Sequence, residues 1–108
     1  MKNVLMMTLL LLLSCEEDCS QKKCTNPIWI NATIQSITLQ GNKGEIIKYL
    51  YQNQEVYLVR GCLECADYID VVRNCEGKII CEFGGIAGIN TCPDFSKVAI
   101  KLATIWKN

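Results

Sequence analysis

Cysteine is the residue type in this chain best equipped for chemistry. There are eight cysteines and no histidine among 108 residues. A thiolate can attack a disulfide, hold zinc, or oxidise to a disulfide itself. Without histidine, no side chain is matched to proton transfer near neutral pH, and the Ser and Thr hydroxyls have no such base to activate them. No catalytic set is therefore assigned. Cys62-Leu63-Glu64-Cys65 has the spacing of a thiol–disulfide exchange pair, and it follows a strand-like run. Glu64 opposes that use, because a carboxylate between two thiols disfavours the thiolate. Cys62, Cys65, Cys75 and Cys81 could make a four-thiolate zinc site, but an oxidising location would turn those thiols into disulfides. No metal and no cofactor is expected beyond a covalent lipid. Cys81 and Cys92 flank a glycine loop, and a bridge between them would close it.

The N-terminus says where such sulfurs would reside. Lys2 precedes an apolar run of ten residues, Val4 to Leu13, interrupted only by Thr8. Ten helical residues cover roughly half of a bilayer core about 30 Å thick, so the run reads as a cleavable export signal rather than a spanning helix. It ends in Leu12-Leu13-Ser14-Cys15, which resembles the lipobox of bacterial lipoproteins. Leu12 matches the branched apolar position, Ser14 the small residue before the cut, and Cys15 the lipidated cysteine. Leu13 departs mildly, since smaller residues are commoner there. The resemblance implies cleavage between Ser14 and Cys15 and a diacylglyceryl thioether on Cys15. Two or three acyl chains hold a protein on a membrane where one chain barely does. Glu16-Glu17-Asp18 then reads as a solvated acidic tether, and it is similar to the surface-export signal of Bacteroidetes-type lipoproteins.

Beyond Cys15, seven cysteines remain: Cys19, Cys24, Cys62, Cys65, Cys75, Cys81 and Cys92. An odd number leaves one unpaired, and Cys19 in the tether is the candidate. Cys24, Cys62, Cys65, Cys75, Cys81 and Cys92 are the disulfide candidates.

The elements that must position these sulfurs read as follows. Asn26 as cap and Pro27 at the first helical position predict a helix over Pro27–Leu39, with Ile28, Trp29, Ala32, Ile34 and Ile37 on its apolar face. Ile46 to Tyr51 and Val56 to Val59 predict a hairpin joined by Gln52-Asn53-Gln54. Residues 69–82 predict a second hairpin, turning at Asn74-Cys75-Glu76-Gly77. Gly84-Gly85-Ile86-Ala87-Gly88 reads as a tight loop needing positive φ, since it lacks the Gly-Lys-Ser/Thr ending of a phosphate cradle. The last stretch is ambiguous: Phe95, Val98, Ala99 and Leu102 fit a helix face, whereas Ala103 to Trp106 is strand-prone. The fold class expected is α+β: a small antiparallel sheet of two hairpins with an N-terminal helix packed on it, stabilised by disulfides. Residues 1–14 form the signal peptide, 15–25 the lipidated tether, and 26–108 one small domain of unknown function.

Eleven basic residues balance eleven acidic ones. Phosphate binding needs a clustered positive field, so no nucleic-acid partner is expected. Asp67, Asp70 and Asp94 are scattered, with neither a carboxylate pair nor calcium-loop spacing. Asn31-Ala32-Thr33 is a chance glycosylation sequon. Trp29, Trp106 and the tyrosines read as core.

From about Trp29 to Trp106 the chain resembles an uncharacterised domain of small Bacteroidetes lipoproteins. The residues that carry the resemblance are Tyr49-Leu50-Tyr51, Val56-Tyr57-Leu58-Val59, Cys65-Ala66-Asp67, Ile80-Cys81, Gly84-Gly85-Ile86-Ala87-Gly88, Cys92-Pro93-Asp94-Phe95 and Ile105-Trp106. The chain departs from it where adjacent cysteines are spread as Cys62 and Cys65, and where Ile89-Asn90-Thr91 replaces a Gly-Asp-Gly. The expectation is a non-enzymatic, lipid-anchored binding or accessory module of the cell envelope, at the outer membrane and facing outward, with a protein partner. The alternative is a thiol–disulfide exchange protein using Cys62 and Cys65.

Overall fold

The computed structural model describes residues 23–25 and 27–108. Ser14, Cys15, Cys19 and Asn26 lie outside the described residues. The chain forms α1 (Trp29–Leu39), β1 (Glu45–Tyr51), β2 (Gln54–Arg60), β3 (Ile69–Arg73), β4 (Ile79–Gly84), β5 (Ile89–Asn90), α2 (Phe95–Val98) and β6 (Ile100–Lys107). The expected pair of hairpins is in fact one six-stranded antiparallel sheet in the order β5-β4-β3-β2-β1-β6. The hairpins merge because β2 and β3 also pair, with Tyr57 opposite Arg73 and Val59 opposite Val71. The chain then crosses one face of the sheet through α2 and adds β6 beside β1. The ambiguous C-terminus thus divides: Phe95 and Val98 lie in the single turn of α2, while Leu102 joins Ala103 to Trp106 in β6.

Local chemistry accounts for the turns. Gln52 and Asn53 both have positive φ, 53° and 59°, as in the two-residue hairpin turn whose twist matches that of paired strands. Gly84, Gly85 and Gly88 have φ of 105°, 76° and 65°, so the glycine loop needs its glycines for conformation. α1 ends in paired backbone bonds, Asn42 N–H to the Ile37 carbonyl and Gly41 N–H to the Thr38 carbonyl. That is the Schellman arrangement, with Gly41 in the left-handed conformation.

α1 starts two residues later than the Asn-Pro signal predicts. Ile28 occupies the cap position and makes no side-chain cap bond. The apolar face shifts accordingly. Ile30, Ile34 and Ile37, spaced i, i+4, i+7, pack inward with Trp29, while Ile28 and Ala32 are exposed. The Trp29 indole N–H fixes this rotation by donating to the Cys75 carbonyl at 3.0 Å.

Each sheet face has its own core. On the face under α1, Ile46, Tyr57 and Val59 meet Ile30 and Ile37, with Val71 and Trp106 packed beside them. The approach is close: a Cβ on Gly44 would sit 2.7 Å from the Arg60 carbonyl oxygen and 3.0 Å from Ile37. Arg73 lies under the same helix, with its guanidinium 5.9 Å from the Trp29 ring centre. On the opposite face, Tyr51, Val56, Val72 and Cys81 pack under Phe95 from α2. Both sheet edges are blunted. β5 has two residues. β6 bulges at Ile105 and at Leu102, where its register against β1 skips.

Candidate functional site

All six cysteines among the described residues are paired, as Cys24–Cys75, Cys62–Cys65 and Cys81–Cys92. Cys81–Cys92 closes the glycine loop as its position suggested. The four sulfurs weighed as a zinc site are divided among three disulfides, which removes that reading. Among the described residues no group of His, Cys, Asp or Glu could hold a metal ion. The Cys62–Cys65 bridge spans a sequence separation of three. Cys62 is buried at the end of β2, and Cys65 is exposed.

The bridges do different jobs. Cys24–Cys75 ties the segment before α1 to the β3–β4 turn, where Trp29 is also anchored. Glu55 reinforces that corner. Its carboxylate accepts the Cys24 N–H at 3.0 Å and pairs with Lys48 at 3.4 Å. The Cys24 bond, and then the lysine, hold its pKa below the ordinary carboxylate value against the opposing effect of burial. Cys81–Cys92 instead clips the crossing segment to β4. Farther along, the Tyr51 hydroxyl donates to Asp94 Oδ1 at 2.8 Å. That bond raises the Tyr51 pKa, because the proton it holds is the one shared.

On this face lies a cavity of about 390 Å³, lined by Tyr49, Leu58, Asp70, Phe83, Phe95 and Ser96 among others. Strand alternation explains its composition. Tyr49, Leu58, Asp70 and Phe83 occupy alternate positions facing the crossover, with Leu58 opposite Val72 and Asp70 opposite Phe83. Phe95 comes down from α2 to meet them. Its ring centre is 5.1 Å from that of Tyr49 and 5.5 Å from that of Phe83.

Asp70 is the carboxylate in this lining. Its Oδ2 accepts Arg60 Nε at 3.2 Å, and Arg60 Nη1 donates to Glu45 at 2.9 Å. Two carboxylates thus share one guanidinium, leaving a net negative charge. Burial pushes the Asp70 pKa up, further than Arg60 pulls it down.

Sequence reasoning passed over this site, since Asp70 reads as a scattered acid and Tyr49 as core. The available signal was a carboxylate two positions before Val72, on the side of β3 that is otherwise apolar. Of the aspartates grouped with it, Asp94 binds Tyr51 and Asp67 is exposed. Cavities of about 460 and 630 Å³ follow the two sides of α1 where helix meets sheet, with no carboxylate in their lining, and another of about 460 Å³ beside Cys75 includes Glu76.

Residues 32–108 match the family model described as a domain of unknown function, DUF6970. No curated protein and no solved structure matches the chain.

Proposed function

The chain belongs to that family, and we propose that it is a lipid-anchored binding module of the bacterial envelope, carried on Cys15 and displayed outside the cytoplasm. The observation that carries the reading is the complete pairing of the described cysteines. Three disulfides are compatible with an extracytoplasmic protein, because cytosolic thiols are kept reduced. The apolar run ending in Leu12-Leu13-Ser14-Cys15 supports the anchor itself. Among the described residues no helix is long and apolar enough to cross a membrane. The Bacteroidetes-like acidic stretch Glu16-Glu17-Asp18 supports an outer-membrane, outward-facing placement, where a module could meet a protein partner or a small ligand.

The test is the mass of the N-terminal peptide and the membrane fractionation of wild type against Cys15→Ala. The expected result is an acylated Cys15 at the mature N-terminus, and release of the variant from membranes. An intact Met1 on wild-type protein, or membrane association unchanged by Cys15→Ala, would defeat the anchor.

A second reading rests on the exposure of Cys65. A substrate dithiol could attack the Cys62–Cys65 bond and leave as a disulfide, transferring two electrons and two protons to yield two thiols. Insulin reduction that is lost in Cys62→Ser would support it. A Cys62–Cys65 bond that survives mild reductant would exclude it.

A further inference from the structure

The crossover face carries an arrangement that the fold alone does not call for. Its cavity of about 390 Å³ falls at the lower end of small-molecule sites, which run from about 300 to 1,000 Å³. Three aromatic rings, Tyr49, Phe83 and Phe95, share its lining with one carboxylate, Asp70. Aromatic rings offer an apolar surface to the body of a ligand, and a carboxylate accepts the hydrogen bonds that an ammonium donates. The local charge agrees. Arg60 divides its guanidinium between Glu45 and Asp70, so the trio retains one negative charge. Lys97, Lys101 and Lys107 are exposed, with Lys101 opposite Tyr49 and Lys107 opposite Glu45 in the register of β1 and β6, and all three lie outside the lining.

From these residues we infer that the pocket under the Cys92–Ala99 crossover binds a small organic ammonium ion with an apolar or aromatic body. The ammonium group meets Asp70, and the body lies among Tyr49, Phe83 and Phe95. An anion of the same shape is rejected by the cost of burying it beside the Asp70 carboxylate. The raised pKa of Asp70 is in keeping with this role, since a carboxylate that gains too little from its protein partners has more to gain from a cationic ligand. The inference shares with the proposed function only the idea of a binding module, and it is independent of the anchor.

The test uses the full chain as isolated from its own cells, titrated with benzylammonium, benzyl alcohol and benzoate. Aromatic carbon resonances of Tyr49, Phe83 and Phe95 report occupancy, and calorimetry reports affinity. Benzylammonium should bind saturably and shift those resonances, benzyl alcohol should bind roughly tenfold more weakly or worse, and benzoate should not bind. Asp70→Asn should lower benzylammonium affinity by roughly tenfold or more. Ser96→Trp, which fills the pocket from an exposed position, should abolish binding. Benzoate binding as well as benzylammonium, or absence of saturable benzylammonium binding, overturns the inference. So does binding that survives Ser96→Trp, even if Asp70→Asn fails to fold. Failure of the anchor would appear in the N-terminal mass and not in these titrations.

Discussion

The two faces of the sheet are covered in different ways. Under α1 the cover is a regular helix presenting Ile30, Ile34 and Ile37 to Ile46, Tyr57 and Val59. Under the crossover it is a loop and a single helical turn, fastened at its start by Cys81–Cys92 and two residues on by the Tyr51–Asp94 bond. The helix face buries isoleucines together with Trp29, Tyr57 and Trp106 and has no carboxylate in the cavities along α1, whereas the crossover face brings Asp70 of a half-buried ionic trio into a cavity beside three aromatic rings. A fold that needed only stability would cover both faces alike, because buried charge costs more than it returns unless it is fully paired. The contrast suggests that one face holds the domain together and the other is kept for contact.

Breaking the helix face should have the largest effect. Cys24–Cys75 closes a sequence separation of 51 and Cys62–Cys65 one of three. Loop-closure entropy then assigns about 4 kcal/mol to the first and about 1.6 kcal/mol to the second. Replacing Cys24 and Cys75 together by Ser should lower the urea midpoint well beyond the same change at Cys62 and Cys65. Equal losses would mean that the long bridge does not secure the helix. Next in size, Ile46→Ala should cost about 2 to 5 kcal/mol in urea unfolding, since Ile46 is fully buried beneath α1.

How much of this contrast can be read from sequence depends on the distance of each contact along the chain. β1 and β2 are legible because both carry short runs rich in β-branched and aromatic residues and the polar Gln52-Asn53-Gln54 separates those runs. Cys81–Cys92 is legible because its partners bracket a short glycine loop. Cys24–Cys75 is not, because nothing local at either cysteine names a partner 51 positions away. β6 is obscured because Val98, Ala99 and Leu102 imitate a helix face, and only pairing with β1 decides for strand. Ile28 in place of Ile30 is an error of phase, produced by taking the helix start from Pro27 when contact with Cys75 sets it at Trp29. The pocket is missed for the same reason: Tyr49, Asp70, Phe83 and Phe95 come from four separate elements.

A smaller effect sharpens the contrast from the crossover side. Tyr51→Phe removes the bond to Asp94 but keeps the ring against Phe95, 5.0 Å between centres. The expected cost is about 1 kcal/mol in global unfolding. Amide exchange should rise in residues 92–99 and stay unchanged in α1. A uniform rise across both faces would show that the crossover does not open as a separate unit.

The smallest effect on stability is expected at Asp70, and its sign matters most. Glu55 and Asp70 make a controlled pair of half-buried carboxylates, one on each face. The Glu55 pKa is lowered on folding, so its contribution is complete above the unfolded carboxylate value of about 4.3 and is lost as pH falls through its lower folded value. The Asp70 pKa is raised, so the folded state binds its proton sooner than the unfolded chain does. Ionised Asp70 therefore detracts from stability above its folded pKa, and the penalty fades as pH falls toward the unfolded value of about 3.9. Glu55→Gln should be destabilising at pH 7, and its deficit should shrink on acidification. Asp70→Asn should be neutral or slightly stabilising at pH 7, with that advantage shrinking over the same descent, because Arg60 keeps its bond to Glu45. Urea midpoints of both variants and wild type from pH 7 down to pH 3 decide the matter. If Asp70→Asn costs as much as Glu55→Gln at pH 7, Asp70 is a structural partner of Arg60 and the two faces differ in composition alone. If it costs nothing, the fold retains a carboxylate that does not stabilise it, as expected of a group whose partner arrives from solution.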